Sequence, residues 1–80
     1  MLMPLYGFLR GDSIGLLVLV HDTDTVGEIA RKLQEAASVR VAPKPSADVY
    51  YRGTLLDPGQ TISRAGLEAL ERVDVVPKEL

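Results

Sequence analysis

A carboxylate-bridged metal pair needs several glutamates and histidines converging from helices, most simply as Glu-x-x-His pairs. This chain has a single histidine, His21, and no such pair. It has no cysteine, which removes thiolate zinc sites and disulfide staples together. A serine acts as a nucleophile only beside a positioned base. The block Gly11-Asp12-Ser13-Ile14 offers the serine, but His21 lies at the far end of the strand that follows it. Arg10-Gly11-Asp12 spells an adhesion tripeptide, yet with Ser13 it also supplies ordinary turn chemistry. Gly7, Gly11 and Gly15 punctuate a strand and a turn rather than a strand-to-helix loop, so they form no phosphate cradle. The expectation is no catalytic, cofactor-binding or metal-binding residue in this chain, with His21 at the surface or in a hydrogen bond.

The charge balance excludes further classes. The net charge is -2 and the pI about 5.2. Arg40, Lys44, Arg52, Arg64 and Arg72 are scattered and are offset by 11 acids. Tyr50 and Tyr51 are adjacent, so in a strand they point to opposite sides and make no two-ring stacking platform. Neither nucleic acid nor an anionic membrane surface is an expected partner. The N-terminus lacks a basic segment before its apolar residues, and Pro4, Gly7 and Arg10 interrupt it, against a signal peptide. No apolar run approaches the roughly 20 residues of a membrane helix. The expectation is one soluble cytoplasmic domain spanning residues 1–80, with a small core.

The elements follow from period and punctuation. Leu5–Arg10 reads as a strand with Pro4 at its start, where a missing donor is tolerated. Gly11, Asp12 and Ser13 turn the chain, and Ile14–Val20 returns as a second strand. Thr25 with Glu28 has the spacing of a capping box. Val26, Ile29, Ala30, Leu33 and Ala37 then recur at helical period as one apolar stripe. Glu28 and Lys32 have the spacing of an i,i+4 ion pair. Val39–Ser46, with Pro43 and Pro45, is a loop. Ala47–Arg52 is a strand, Gly53-Thr54 a turn, and Leu55-Leu56 a brief return strand. Asp57-Pro58-Gly59 turns again, and Thr61–Gly66 forms one helical turn. Leu67 and Leu70 lead into a last strand, Arg72–Val76, which Pro77 ends. A hairpin, one helix and later strands make an α+β domain: a mixed sheet of four or five strands with the main helix across one face.

In order and spacing this pattern resembles the ubiquitin-like β-grasp. Asp24-Thr-Val-Gly-Glu-Ile-Ala-Arg-Lys-Leu33 resembles the first helix of ubiquitin. Tyr50-Tyr-Arg-Gly-Thr-Leu-Leu-Asp57, Gln60-Thr-Ile-Ser63, Leu67 and Val73-Asp-Val-Val76 resemble its later strands and turns. The ending Val76-Pro-Lys-Glu-Leu80 lacks the di-glycine that activation requires, so covalent conjugation is not expected. A narrower set resembles the toluene monooxygenase system protein B family: Arg40-Val-Ala-Pro43, Thr61-Ile62, Ala65-Gly-Leu67, Val73-Asp-Val-Val76, and the opening Pro4-Leu-Tyr-Gly-Phe8 with Gly11-Asp12. That resemblance implies a non-catalytic γ subunit in the hydroxylase component of a soluble diiron monooxygenase for aromatics or alkenes. It implies hydroxylase α and β subunits as partners, with the diiron cofactor in α and none in this chain. The alternative is another ubiquitin-like interaction module, such as an adaptor or a small secretion-system component. Genes for a diiron subunit, a Rieske ferredoxin and a flavin reductase beside this one would favour the first.

The hairpin carries the most specific expectation. A sheet with one wet face alternates apolar and polar residues, yet Leu16-Leu-Val-Leu-Val20 is apolar throughout. By the two-residue period, Leu16, Val18 and Val20 share a side with Leu5, Gly7 and Leu9 under the helix, joined by Val49, Tyr51, Val73 and Val75. Tyr6, Phe8, Leu17 and Leu19 then fall on the outer face. Contiguous apolar patches mark interaction sites, so these four residues are the expected partner-docking surface. The competing expectation is that the chain ends or later loops partly cover them.

Overall fold

A computed structural model describes residues 1–79; Leu80, the last residue of the tail discussed above, lies outside the described residues. Strand β1 (Leu2–Leu9) and strand β2 (Gly15–His21) form a hairpin. Helix α1 (Val26–Ala36) follows, then β3 (Ser46–Tyr51), β4 (Thr54–Leu55) and β5 (Arg72–Lys78). The strands make one sheet in the order β2-β1-β5-β3-β4. Only β1 and β5 run parallel; the other neighbours are antiparallel. This is the mixed sheet with one helix across one face that the patterning predicts.

The core lies between that helix and one face of the sheet. Leu5, Val20, Val26, Ile29, Leu33, Ile62, Val73 and Val75 are fully buried. Met3, Leu9, Val18, Val49, Leu56 and Leu67 complete it, and Leu16 and Tyr51 pack against it half-buried. The register pairs Leu5 with Val18 and Gly7 with Leu16, so the inner face has the predicted membership. Gly7 is required by a close approach: a Cβ there would stand 2.9 Å from both terminal methyls of Leu33.

Two prolines lie inside strands rather than at their limits. Pro4 accepts a 2.7 Å bond from Leu70 N–H at its carbonyl, so its ring nitrogen also faces the β5 side. The β1–β5 pairing begins only at Tyr6 and Arg72, so Pro4 lies ahead of the paired ladder. Pro77 does not end β5, as the sequence suggested; it pairs with Ala47 and the strand runs on to Lys78. Val75 C=O bonds Arg10 N–H, so Pro77 nitrogen faces the β1 side, two residues past the last β1–β5 register pair. Both prolines therefore face the gaps where β1 and β5 have no partner, the position a strand tolerates.

The helix start also differs from expectation. Thr25 is the N-cap but makes no side-chain capping bond, and Glu28 does not reach back. The orphan donors are instead satisfied by a distant loop: Val26 N–H bonds Gln60 C=O at 2.9 Å and Gly27 N–H bonds Pro58 C=O at 3.0 Å. These tertiary carbonyls take the role of the capping box. Glu28 grips Arg31 at 2.9 Å, and Lys32 reaches Leu19 C=O at 3.1 Å, so the Glu28–Lys32 pair does not form. Thr61–Gly66 contains one α-type bond, Ala65 N–H to Thr61 C=O, but no helix. Ile14 lies in the turn, exposed, and β2 starts one residue later.

The β3–β4 turn is one residue earlier than predicted, at Arg52-Gly53. Both residues have positive φ, 52° and 78°, as a type I′ hairpin requires. Gly53→Ala places a Cβ in a left-handed conformation and is expected to cost about 1 kcal/mol; chemical denaturation of the two proteins checks it.

The β1–β2 turn is tied to the segment after the helix. Arg40 donates three side-chain bonds to the Asp12 carboxylate at 2.9–3.2 Å. The Arg40 hydrogen bonds hold the Asp12 carboxyl below the ordinary carboxylate range. A folded-state pKa below the unfolded value adds stability at higher pH, fully present above the unfolded pKa of about 3.9. That contribution is lost as pH falls through the lower folded value. The stability gap between the native chain and Arg40→Gln is therefore expected to be widest near neutrality and to close as pH falls through the lowered Asp12 value. Urea melts across that range measure it.

Candidate functional site

Alternation along the hairpin sets what the outer face of the sheet presents. Tyr6 and Leu17 sit directly opposite each other, Leu19 is opposite Pro4, and Phe8 is opposite Gly15. Tyr6, Leu17 and Leu19 are 45%, 56% and 53% exposed. About half of each side chain is therefore open to solvent in the described chain. Leu2, on the same side of β1 and 54% exposed, extends the patch. Sequence reasoning missed it by starting β1 at Leu5, although the two-residue period from Tyr6 leads back to Leu2.

Phe8 is half-buried, and its environment explains why. Its ring lies over Gly15, where a Cβ would stand 2.6 Å from the ring. From the other side the Arg72 guanidinium sits 4.0 Å from the ring centroid, while also bonding Asp74 at 2.9 Å. A cation over an aromatic face is attracted by the ring quadrupole. Phe8 is thus pinned between a glycine and an arginine, presenting one edge of the patch.

Across β5 and β3 the same face changes character. Arg72 and Asp74 pair with each other, and Lys78 and Asp48 meet at 3.0 Å. A groove of about 550 Å³ runs beside Phe8 and is lined by Arg10, Tyr50, Arg72, Asp74 and Val76 among others. The outer face is therefore apolar over β2 and β1 and polar over β5 and β3. The apolar part lies toward the β2 edge of the sheet, and the charged part lies beside it over β5 and β3.

The candidate chemical groups stay apart. His21 ends β2 and is exposed, with its backbone N–H held by Asp24 at 2.9 Å. Ser13 lies in the turn beside Asp12, whose carboxylate is taken by Arg40. Among the described residues no three His, Cys, Asp or Glu side chains cluster as a metal site. His21 is the one imidazole in the chain, and no Glu-x-x-His pair accompanies it. No described helix is long and apolar enough to cross a membrane.

The sequence profile of toluene-4-monooxygenase system protein B (TmoB) matches residues 2–76. The chain belongs to the toluene-4-monooxygenase system protein B family. A chain in the solved structure of a toluene 4-monooxygenase HD complex with the inhibitor 4-bromobenzoate is similar to it at 27% identity. The TM-score is 0.88, and the match covers 98% of this family member and 100% of that chain. Ubiquitin from Caldiarchaeum subterraneum superimposes with a TM-score of 0.79 at 17% identity, covering 100% of this chain and 98% of that one. The ubiquitin-like domain of Plasmodium falciparum Dsk2 gives 0.76 at 14% identity, covering 98% and 100%. At those identities the likeness is one of fold, and the fold is the ubiquitin-like β-grasp. A search of curated proteins gave no significant match.

Proposed function

We propose that this chain is a non-catalytic γ subunit of the hydroxylase component of a multicomponent diiron monooxygenase acting on aromatic hydrocarbons or alkenes. It docks on the catalytic α subunit through the outer-face patch of Tyr6, Phe8, Leu17 and Leu19, in the cytoplasm. The observation that carries the reading is the end-to-end match, at 27% identity, to a chain in a toluene 4-monooxygenase complex, together with membership of the family. The uncovered apolar patch supports docking, because a lone domain this small gains nothing from exposing it. The diiron chemistry resides in the α subunit, and this chain supplies no ligand to it.

The test is co-expression with the α and β subunits of a diiron monooxygenase hydroxylase. The expected result is a single complex containing all three chains after size-exclusion chromatography. A chain that elutes alone, with the other two assembled without it, overturns the proposal and favours an unrelated ubiquitin-like interaction module.

A further inference from the structure

The strand order leaves β2 on the rim of the sheet. Natural edge strands are blunted by charges, proline, bulges or a covering loop, because their free N–H and C=O groups template pairing with another chain. β2, Gly15-Leu-Leu-Val-Leu-Val-His21, has no charged residue, proline or bulge through its apolar stretch. Tyr6 N–H faces β5, bonding Glu71 C=O, so Met3, Leu5 and Gly7 use their backbone groups toward β2. Their partners Val20, Val18 and Leu16 face inward, and the groups of Gly15, Leu17 and Leu19 face out. Among the described residues, Lys32 Nζ on Leu19 C=O is the one hydrogen bond made to these outward groups.

We propose that β2 pairs antiparallel with β2 of a second copy of this chain, about a two-fold axis through Leu17. Such a contact is isologous, each residue meeting the copy that its own copy meets. In this register Leu17 exchanges both backbone bonds with its counterpart, and Gly15 and Leu19 exchange theirs on either side. A carbonyl has two lone pairs, so Leu19 C=O can accept the new bond and keep Lys32.

The side chains favour the same register. The large outward residue Leu19 comes opposite Gly15, which has no side chain, and meets the Phe8 ring that lies over that glycine. Leu17 of each copy lies beside the other, which joins the two Tyr6–Leu17 pairs into one apolar strip. On the helix side, the groove along this edge is lined by Arg31, Lys32 and Glu35. Arg31 pairs with Glu35 at 3.0 Å within the chain, so the two signs offset each other and no single-sign field opposes approach. One strand and its flanking leucines bury an area at the small end of the interface range. The dimer is therefore weak, and because it uses Leu17 and Leu19 it competes with docking of the same face on any other partner. It does not rest on the reading of the chain as a hydroxylase subunit.

Sedimentation of the isolated full chain tests the pairing. The expected result is a monomer near about 1 µM and a monomer–dimer mixture near about 1 mM; a monomer throughout overturns the proposal and leaves the edge to a strand of another protein. The chain has no cysteine, so Leu17→Cys introduces a single thiol. Residues directly opposite in a hydrogen-bonded antiparallel pair have Cα atoms about 5.5 Å apart, within disulfide range. With oxidised glutathione as the electron acceptor, two Leu17→Cys chains are expected to link and release two reduced glutathiones. Leu70→Cys, an exposed position away from the edge, is expected to link far less; equal linking at both sites overturns the register. Leu17→Pro removes a donor that faces away from β1 and is expected to give a folded monomer. Should that variant fail to fold, Leu19→Lys decides: a monomer supports the pairing, and an undiminished dimer overturns it.

Discussion

Leu33→Ala is expected to cost about 2–5 kcal/mol of folding stability, the range for deleting a buried leucine side chain. A chain of this size has roughly 4–12 kcal/mol in all, so the variant loses a large share of its margin and partly unfolds at physiological temperature. Leu33 sits at the centre of the helix stripe with no exposed surface, and its methyls fill the space over Gly7. The two positions are one packing unit, which gives a sharper test than the single variant. Gly7→Ala alone forces a methyl to within 2.9 Å of Leu33 Cδ1 and Cδ2, and a fully buried leucine has little room to retreat. Overpacking of this kind costs about 1–3 kcal/mol. In the Leu33→Ala background the same methyl enters the cavity and is expected to be neutral or stabilising. The coupling measured by denaturation of the four proteins should therefore be favourable and of order 1–3 kcal/mol. Simple additivity of the two costs would show that Gly7 and Leu33 are not held together as described.

Which features were legible in the sequence follows from their range. Helix α1 was readable because Val26, Ile29, Ala30, Leu33 and Ala37 carry the helical period within a few turns, and all five are buried. The two faces of the hairpin were readable because alternation needs only neighbours: Leu5 and Val18 went in, Tyr6 and Leu17 out. The capping box failed because local spacing cannot reveal that the Pro58–Gln60 carbonyls, far along the chain, already serve the helix N-terminus. Pro77 continues β5 for a related reason. Whether a missing donor breaks a strand depends on where its parallel neighbour stops, and that neighbour is β1, at the other end of the chain. Gln34 is polar yet buried because its amide accepts from Lys44 N–H at 2.8 Å, a contact that pins the loop after the helix and that helical period alone does not announce. At the candidate site, alternation located Tyr6, Phe8, Leu17 and Leu19, but Arg72 over Phe8 depends on the β1–β5 crossover, which no local pattern encodes.

Phe8→Ser with Leu17→Ser is expected to weaken binding to the α subunit by about 100-fold or more while leaving the isolated domain folded. Buried apolar anchors at an interface centre commonly lose 2 kcal/mol or more each on truncation, and tenfold is 1.4 kcal/mol. Two such losses acting less than additively still exceed 100-fold. The fold survives because both side chains lie on the face away from the helix. Leu17 is 56% exposed, and removing it opens no internal cavity. Phe8 contributes more, since its ring lies under Arg72; loss of that contact and of its partial burial costs the domain roughly 1–2 kcal/mol. Val18→Ser is the control on the opposite face. Val18 is buried under the helix, so a hydroxyl there destabilises the domain without touching the patch. Thermal melts of the isolated chains and titration against immobilised α subunit separate the two effects. Undiminished binding by a folded Phe8→Ser/Leu17→Ser chain would move docking elsewhere, first to the groove beside Tyr50 and Val76. Undiminished binding by Leu17→Ser alone, with loss by Phe8→Ser, would instead put the contact centre over β1 and leave the β2 edge free for the second copy.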